Sequence, residues 1–215
     1  MKLYNNDGSP FAARVRMLLR AKDAHIEMAK PPADYRSFAP IGKVPALVLD
    51  DGDVLPESEV ICGYLDSLLG GPSLYLDSLA ARTRVNLMVR LVDTYISPPL
   101  HDFFVLLFTD PGNREAVAAL APAFARGLKY LDFYIAKDGC AADERFSQAD
   151  CAIAPILFYI AEILPGAMGQ NLLEKRPALS AYWQRIKTHS TAAPILDEIR
   201  ASLRGYQQKL QAMQQ

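Results

Sequence analysis

One stretch of the chain constrains its fold more than any other: Gly42–Asp66, GKVPALVLDDGDVLPESEVICGYLD. A short apolar run, Ala46–Leu49, meets Asp51-Gly52, a strong hairpin signal because such turns need residues that accept positive φ. A second extended piece, Asp53–Pro56, follows, and Glu57-Ser58 then opens a helical pattern. Val60, Ile61, Tyr64, Leu65 and Leu68 recur on one face of a 3.6-residue period. A hairpin running straight into a helix sets Ser58 and the first open N–H groups at one point. Such a point favours a carboxylate, through hydrogen bonds and the positive end of the helix dipole. Ahead of the first strand, Pro45 removes a backbone donor; a cis Val44-Pro45 bond would leave the Val44 N–H and C=O open. The unit therefore offers a carboxylate socket beside unpaired backbone, suited to a small extended peptide. The residues alone equally allow Ser58 as a plain helix cap and Pro45 as an ordinary turn proline.

Around this stretch the pattern predicts a strand over Lys2–Asn5 and a turn at Asn6-Asp7-Gly8. A helix then starts at Ser9-Pro10, since serine is a favoured cap and proline a favoured first helical residue. Phe11, Val15, Leu18 and Leu19 form its expected buried stripe, with Arg14, Arg16 and Arg20 outside. A strand over His25–Ala29 completes a right-handed βαβ unit, and Pro31–Gly42 is irregular apart from a short helix near Asp34–Phe38. This order describes a thioredoxin-like plan. Gly70-Gly71-Pro72 ends it.

Everything beyond reads as helical. Ala80–Ile96 is interrupted by Pro98-Pro99 and resumes through Asp102–Phe108; Asn113–Lys137 is kinked at Pro122. Ser147 and Asp150 make a capping-box start for Cys151–Leu164, apolar nearly all round and ended by Pro165-Gly166. Pro177–His189 and Pro194–Met213 follow. The fold class expected is an α/β thioredoxin-like N-terminal domain (1–72), a linker (73–79) and an all-α helical bundle domain (80–215), the two domains meeting at one cleft.

Composition narrows the function. The 215 residues suffice for two modest domains, and 23 basic against 24 acidic residues give no electrostatic footprint for nucleic acid. No apolar run approaches a membrane span, and MKLYNND lacks a signal core, so no membrane partner is expected. Cys62, Cys140 and Cys151 are odd in number and outside C-x-x-C spacing, and His25, His101 and His189 are far apart. A reducing, cytoplasmic location without a metal is the expectation.

Ser9 is the candidate for chemistry. It follows a strand and opens a helix, where free N–H groups stabilise an anion and depress the pKa of a thiol brought to them. A free thiol titrates near ~8.5, so a drop of about two units leaves it mostly ionised at neutral pH. A hydroxyl donating to the sulfur adds to that shift. Ser9 then acts as a donor to a thiolate and not as a nucleophile; the plain alternative is that it only caps its helix.

The Gly42–Asp66 segment resembles the glutathione-binding segment of the cytosolic glutathione transferases: Val-Pro, strand, Asp-Gly turn, strand, Glu-Ser, helix. The resemblance extends over most of the chain. GSPFAARVR is similar to the first-helix start of serine- and cysteine-type members, such as the zeta and omega classes and many bacterial ones. By this resemblance Ser9 falls where those classes place the catalytic Ser or Cys, and Pro10-Phe11 match an omega-like C-P-F with Ser in place of Cys. Mixed-disulfide chemistry is thereby disfavoured, and thiolate activation remains. By the same resemblance Asn6 could assist Ser9.

The resemblance further implies glutathione as co-substrate. Lys43 would face the glycine carboxylate, Val44 would pair its backbone with the cysteinyl portion, and Pro45 would be cis. Glu57 and Ser58 would hold the γ-glutamyl ammonium and carboxylate, an assignment whose charges agree. A small-molecule electrophile would sit near Phe11 and the stretch holding Tyr95, His101 and Phe104, while Asp150 would serve folding as a buried cap. Detoxification and a homodimer, N-terminal domain of one chain against the helical domain of the other, are also implied. The competing readings are a binding or regulatory module that keeps the fold without the chemistry, and a thiol-disulfide oxidoreductase, disfavoured because no Cys adjoins Ser9.

Overall fold

A computed structural model describes residues 1–213. The described residues form two compact units, one of residues 1–74 with 189–213 and the other of residues 75–188.

The first unit is built on four strands, β1 (Lys2–Tyr4), β2 (Glu27–Ala29), β3 (Ala46–Val48) and β4 (Val54–Pro56), in the order β2-β1-β3-β4. β1 and β2 are parallel, whereas β3 is antiparallel to both β1 and β4. The Asp51-Gly52 turn behaves as its residues require: Gly52 takes φ 95° and the Leu49 N–H bonds to Asp53 O at 2.8 Å. The register sets Tyr4 beside Ala46 and Ala46 beside Pro56. The end of β1, the start of β3 and the end of β4 consequently share one end of the sheet.

Helix α1 (Pro10–Ala21) crosses from β1 to β2. Ser9 caps it, accepting the Ala12 N–H at 3.3 Å, and Pro10 takes the first position, where its missing N–H costs nothing. Its face differs from the expected one. Arg14 and Arg16 are buried, at 2% and 4% exposure, and only Arg20 is outside. Charge does not keep the two in water because each finds fixed partners inside. Helix α2 (Tyr35–Phe38) contributes Tyr35, which with Phe38 and Tyr4 makes an edge-packed aromatic cluster over Ala46.

Helix α3 (Ser58–Leu68) also presents a different face from the one its pattern suggests. Ser58, Ile61, Cys62, Leu65 and Asp66 are buried, while Val60, Tyr64 and Leu68 form an exposed stripe. Asp66 explains the rotation, because it is drawn inward to a buried Lys22 ammonium at 2.8 Å. The same carboxylate accepts the Ser73 hydroxyl at 2.6 Å and the Leu74 N–H at 2.9 Å, tying down the chain as it leaves the unit.

Residues 189–213 differ from the expected grouping with the helical domain: the last helix packs on α1, its buried Ile195, Leu196 and Ile199 supplying the apolar face.

The second unit holds α4 (Leu79–Leu91), a π-turn (Val92–Ile96), α5 (Ser97–Thr109), α6 (Arg114–Ala118), α7 (Ala121–Tyr134), α8 (Gln148–Phe158), a second π-turn (Tyr159–Ile163), α9 (Leu164–Met168) and α10 (Pro177–Ile186). The closing helix of the first unit is α11 (Ala192–Met213). Pro98-Pro99 does not break the chain, because it opens α5, where backbone donors are unpaired in any case. Pro122 likewise begins α7 and produces no kink within a longer helix. Pro165-Gly166 lies inside α9, so the helical run reaches Met168.

That run, Gln148–Met168, is long and apolar enough to cross a membrane, correcting the reading that no segment approaches such a length. Every residue from Gln148 to Ile160 is buried within its unit, as a core helix requires. Asp150 starts it, accepting the Ser147 N–H at 2.9 Å, the Ala141 N–H at 2.8 Å and the Tyr182 hydroxyl at 2.9 Å.

Candidate functional site

The shared end of the sheet collects the expected site residues of the first unit. The chain leaves β1 through Asn5–Gly8 to Ser9, enters β3 through Lys43-Val44-Pro45, and leaves β4 into Glu57-Ser58. The Val44–Pro45 peptide is cis. Strands lie about 4.8 Å apart, so β1 to β4 spans roughly 10 Å. An extended tripeptide covers a similar length.

At the first of these points, Ser9 is half-buried and its backbone is held by an N–H bond to Asn6 O at 2.9 Å. Pro10 has no N–H, Ala12 bonds to Ser9 Oγ and Ala13 to Ser9 O, so the Phe11 amide is the open donor of this turn. Accepting from Ala12 uses a lone pair of Ser9 Oγ and leaves its hydrogen to donate. Asn6 is exposed, and its side chain accepts the Gly8 N–H at 3.0 Å.

At the other end, Glu57 stands at φ 69°, ψ 113° and gives α3 no side-chain cap. Such a backbone costs on the order of 1–3 kcal/mol and persists where the surroundings enforce it. The uncapped turn starts at buried Ser58. Between the two, the Tyr35 hydroxyl donates to Lys43 O at 2.8 Å, fixing the loop ahead of Val44, while the Lys43 side chain is exposed.

Two residues that bind the site together were missed by periodicity. Arg14 reaches Glu59 in the first turn of α3 at 3.5 Å, joining the helices that begin at Ser9 and Ser58. Arg16 donates from Nη1 to Asn5 Oδ1 at 2.7 Å and Asn6 O at 3.3 Å, and from Nη2 to Asp7 O at 2.8 Å. The available signal was positional: each arginine stands three or four residues from buried apolar neighbours, inside the stripe and not beside it.

The residues expected to line a second pocket fall in both units. Phe11 is half-buried on α1. In the second unit Tyr95 lies on the first π-turn, edge-on to Tyr130 at 5.1 Å; His101 is exposed on α5; and half-buried Phe104 stacks edge-on against Tyr159 at 5.0 Å. Among the described residues, no group of three or more His, Cys, Asp or Glu could hold a metal ion. Burial, helped by the Asp150 charge, pushes the Cys140 thiol up to about 12, which keeps it protonated and inert.

The N-terminal domain profile of the glutathione S-transferases matches residues 3–73, and their C-terminal domain profile matches residues 95–189. Glutathione S-transferase 2 of Saccharomyces cerevisiae is 24% identical, over 92% of this chain and 90% of its own. Maleylacetoacetate isomerase of Pseudomonas aeruginosa is 29% identical, over 74% of this chain and 80% of its own. Among solved structures, a glutathione S-transferase of Methylobacillus flagellatus with glutathione bound superposes with a TM-score of 0.76 at 22% identity, covering 90% of this chain and 98% of that one. The chain belongs to the glutathione S-transferase family, a glutathione-dependent transferase or isomerase with a thioredoxin-like and a helical domain and with glutathione as its co-substrate.

Proposed function

We propose that the protein binds glutathione extended along the shared end of the sheet, ionises its thiol beside Ser9, and directs the thiolate at an electrophilic carbon of a small, largely apolar substrate. The observation that supports this reading is the register through Tyr4, Ala46 and Pro56, which brings to one end of the sheet the strand ends that lead to Ser9, Val44 and Glu57-Ser58.

Each residue's role follows from its chemistry. The Ser9 hydroxyl donates to the sulfur, and the Phe11 N–H at the mouth of α1 adds a second donor, so the charged thiolate is favoured over the thiol. Val44 pairs its backbone with the cysteinyl portion, with Pro45 shaping the approach. The uncapped first turn of α3 and Ser58 receive the γ-glutamyl carboxylate, while Glu57 meets the ammonium from its enforced backbone conformation. Lys43 faces the glycine carboxylate. For the electrophile, Phe11 is assigned on the first unit and Tyr95, His101 and Phe104 on the second. With the thiol held ionised and oriented, the reaction is conjugation, thiolytic ether or halide cleavage, or isomerisation with glutathione returned.

The exposed stripe of Val60, Tyr64 and Leu68 on α3 supports a homodimer, since an apolar helix face calls for a covering partner. Three buried cysteines outside any disulfide suit a reducing, cytoplasmic setting, and conjugation of small electrophiles there would serve detoxification. The test is Ser9→Ala, assayed with aromatic ethers, halides and enones. Turnover should fall at least tenfold while glutathione affinity stays within a few-fold; an equal loss of both refutes the role of Ser9. Unaltered turnover would refute that role as well, whereas a parent protein that binds glutathione without turning over any of these substrates would return the non-catalytic reading.

A further inference from the structure

The buried guanidinium of Arg16 has an unusual set of partners. Its Nη1 and Nη2 donate to Asn5 Oδ1, Asn6 O and Asp7 O, three consecutive residues of the loop that delivers the chain to Ser9. The Asn6 oxygen it bonds is the one that accepts the Ser9 N–H at 2.9 Å. Its Nε lies 3.0 Å from Glu198 Oε2 on α11, so the last helix is pinned to the same loop. Ser202, one turn further along α11, closes over this loop at Gly8, where an added Cβ would sit 3.2 Å from the Ser202 hydroxyl oxygen.

We infer that Arg16 is a positioning residue for the thiolate site: by holding Asn5–Asp7 from inside, it sets the direction in which Ser9 presents its hydroxyl, and Glu198 sets Arg16. Planarity makes arginine suited to this. A guanidinium spreads donors in a fixed fork and serves several acceptors at defined angles, which a lysine ammonium on a flexible stem does not. A serine held at its N–H, at its carbonyl by Ala13 and at Oγ by Ala12 retains only the orientation of its own turn, and Arg16 supports that turn through Asn6 O. The inference rests on the proposed role of Ser9.

The test is a double-mutant cycle on the full-length protein with glutathione itself as probe, read as the pH midpoint of thiolate ultraviolet absorbance in the complex. Ser9→Ala and Arg16→Met are each expected to raise the midpoint by about one pH unit, a tenfold loss of thiolate on the acid side. Glutathione affinity stays within about threefold, and the double variant should rise no further than Ser9→Ala, because no hydroxyl remains to be positioned. Arg16→Lys should recover part of the shift. A midpoint unmoved by Arg16→Met, or shifts that add in full, would overturn the inference while leaving Ser9 in its role. A midpoint unmoved by Ser9→Ala removes that role and the inference together. Should Arg16→Met not fold, Asn5→Ala and Glu198→Gln take its place, each expected to raise the midpoint by a smaller amount; no movement in either overturns the inference.

Discussion

Removing the Asp150 carboxylate should destabilise the second unit strongly. Its two oxygens collect the Ala141 N–H at 2.8 Å, the Ser147 N–H at 2.9 Å, the Ser147 hydroxyl at 3.0 Å and the Tyr182 hydroxyl at 2.9 Å, all inside a fully buried site. Burial pushes the carboxyl above its usual range, and these donors pull against that rise. The hydroxyls can turn to other acceptors, but the backbone amides are fixed. Stranding one buried N–H costs about 1–3 kcal/mol, so Asp150→Ala, which strands two, should cost about 2–6 kcal/mol. Asp150→Asn keeps one acceptor oxygen for two amides and should cost about 1–3 kcal/mol. Against a typical stability of about 5–15 kcal/mol, the alanine variant should lose a large share of its stability and unfold at clearly lower urea than the parent. Urea unfolding followed by circular dichroism, with the tryptophan signal of Trp183 on α10 as a second probe, measures both variants. An alanine variant within about 1 kcal/mol of the parent, or an asparagine variant as damaging as alanine, would refute the amide accounting.

Two further perturbations test other parts of the fold. At the Lys22–Asp66 pair, burial pushes the Asp66 carboxyl up, but the Leu74 N–H, the Lys22 ammonium and the Ser73 hydroxyl outweigh it and hold the group below the usual carboxylate range. A carboxyl depressed on folding contributes stability that is fully present above its unfolded value near ~3.9 and is lost as pH falls through the folded value. Asp66→Ala should therefore destabilise by about 3–5 kcal/mol at neutral pH, because it leaves a buried ammonium, and the difference from wild type should shrink in acid; a difference independent of pH would contradict this. Gly127 on α7 lies against the first π-turn, where a Cβ would meet Tyr95 O at 2.6 Å and Ile96 Cγ1 at 2.9 Å. Gly127→Ala should lower the melting temperature, an overpacking cost of about 1–3 kcal/mol exceeding the ~1 kcal/mol of helix propensity gained, and an unchanged or raised value would show that the contact yields freely.

Local signals carried most of the fold. Ser9-Pro10, Asp51-Gly52, Ser147 with Asp150, and the Pro177 start of α10 each impose their structure through backbone chemistry within a few residues, and each takes that form in the folded chain. What periodicity missed depends on partners far along the chain. Arg14 and Arg16 are buried because Glu59 and Glu198 meet them from 45 and 182 residues away, and no window of local sequence contains both members of either pair. The rotation of α3 has the same origin, since Lys22 draws in Asp66 and turns Val60, Tyr64 and Leu68 outward. The prolines expected to break or kink helices do not. Pro98, Pro122 and Pro165 all sit in the opening turn of a helix, where no backbone bond is lost. The candidate site was legible in its residues but not in its alignment, which comes from the pairing of β1, β3 and β4.

The proposed function requires that glutathione be bound with its sulfur ionised at the mouth of α1. Titrating the ultraviolet absorbance of bound glutathione against pH tests it most directly. A midpoint about two pH units below the ~8.5 of a free thiol is the predicted result. A bound thiol that titrates where the free one does would contradict it.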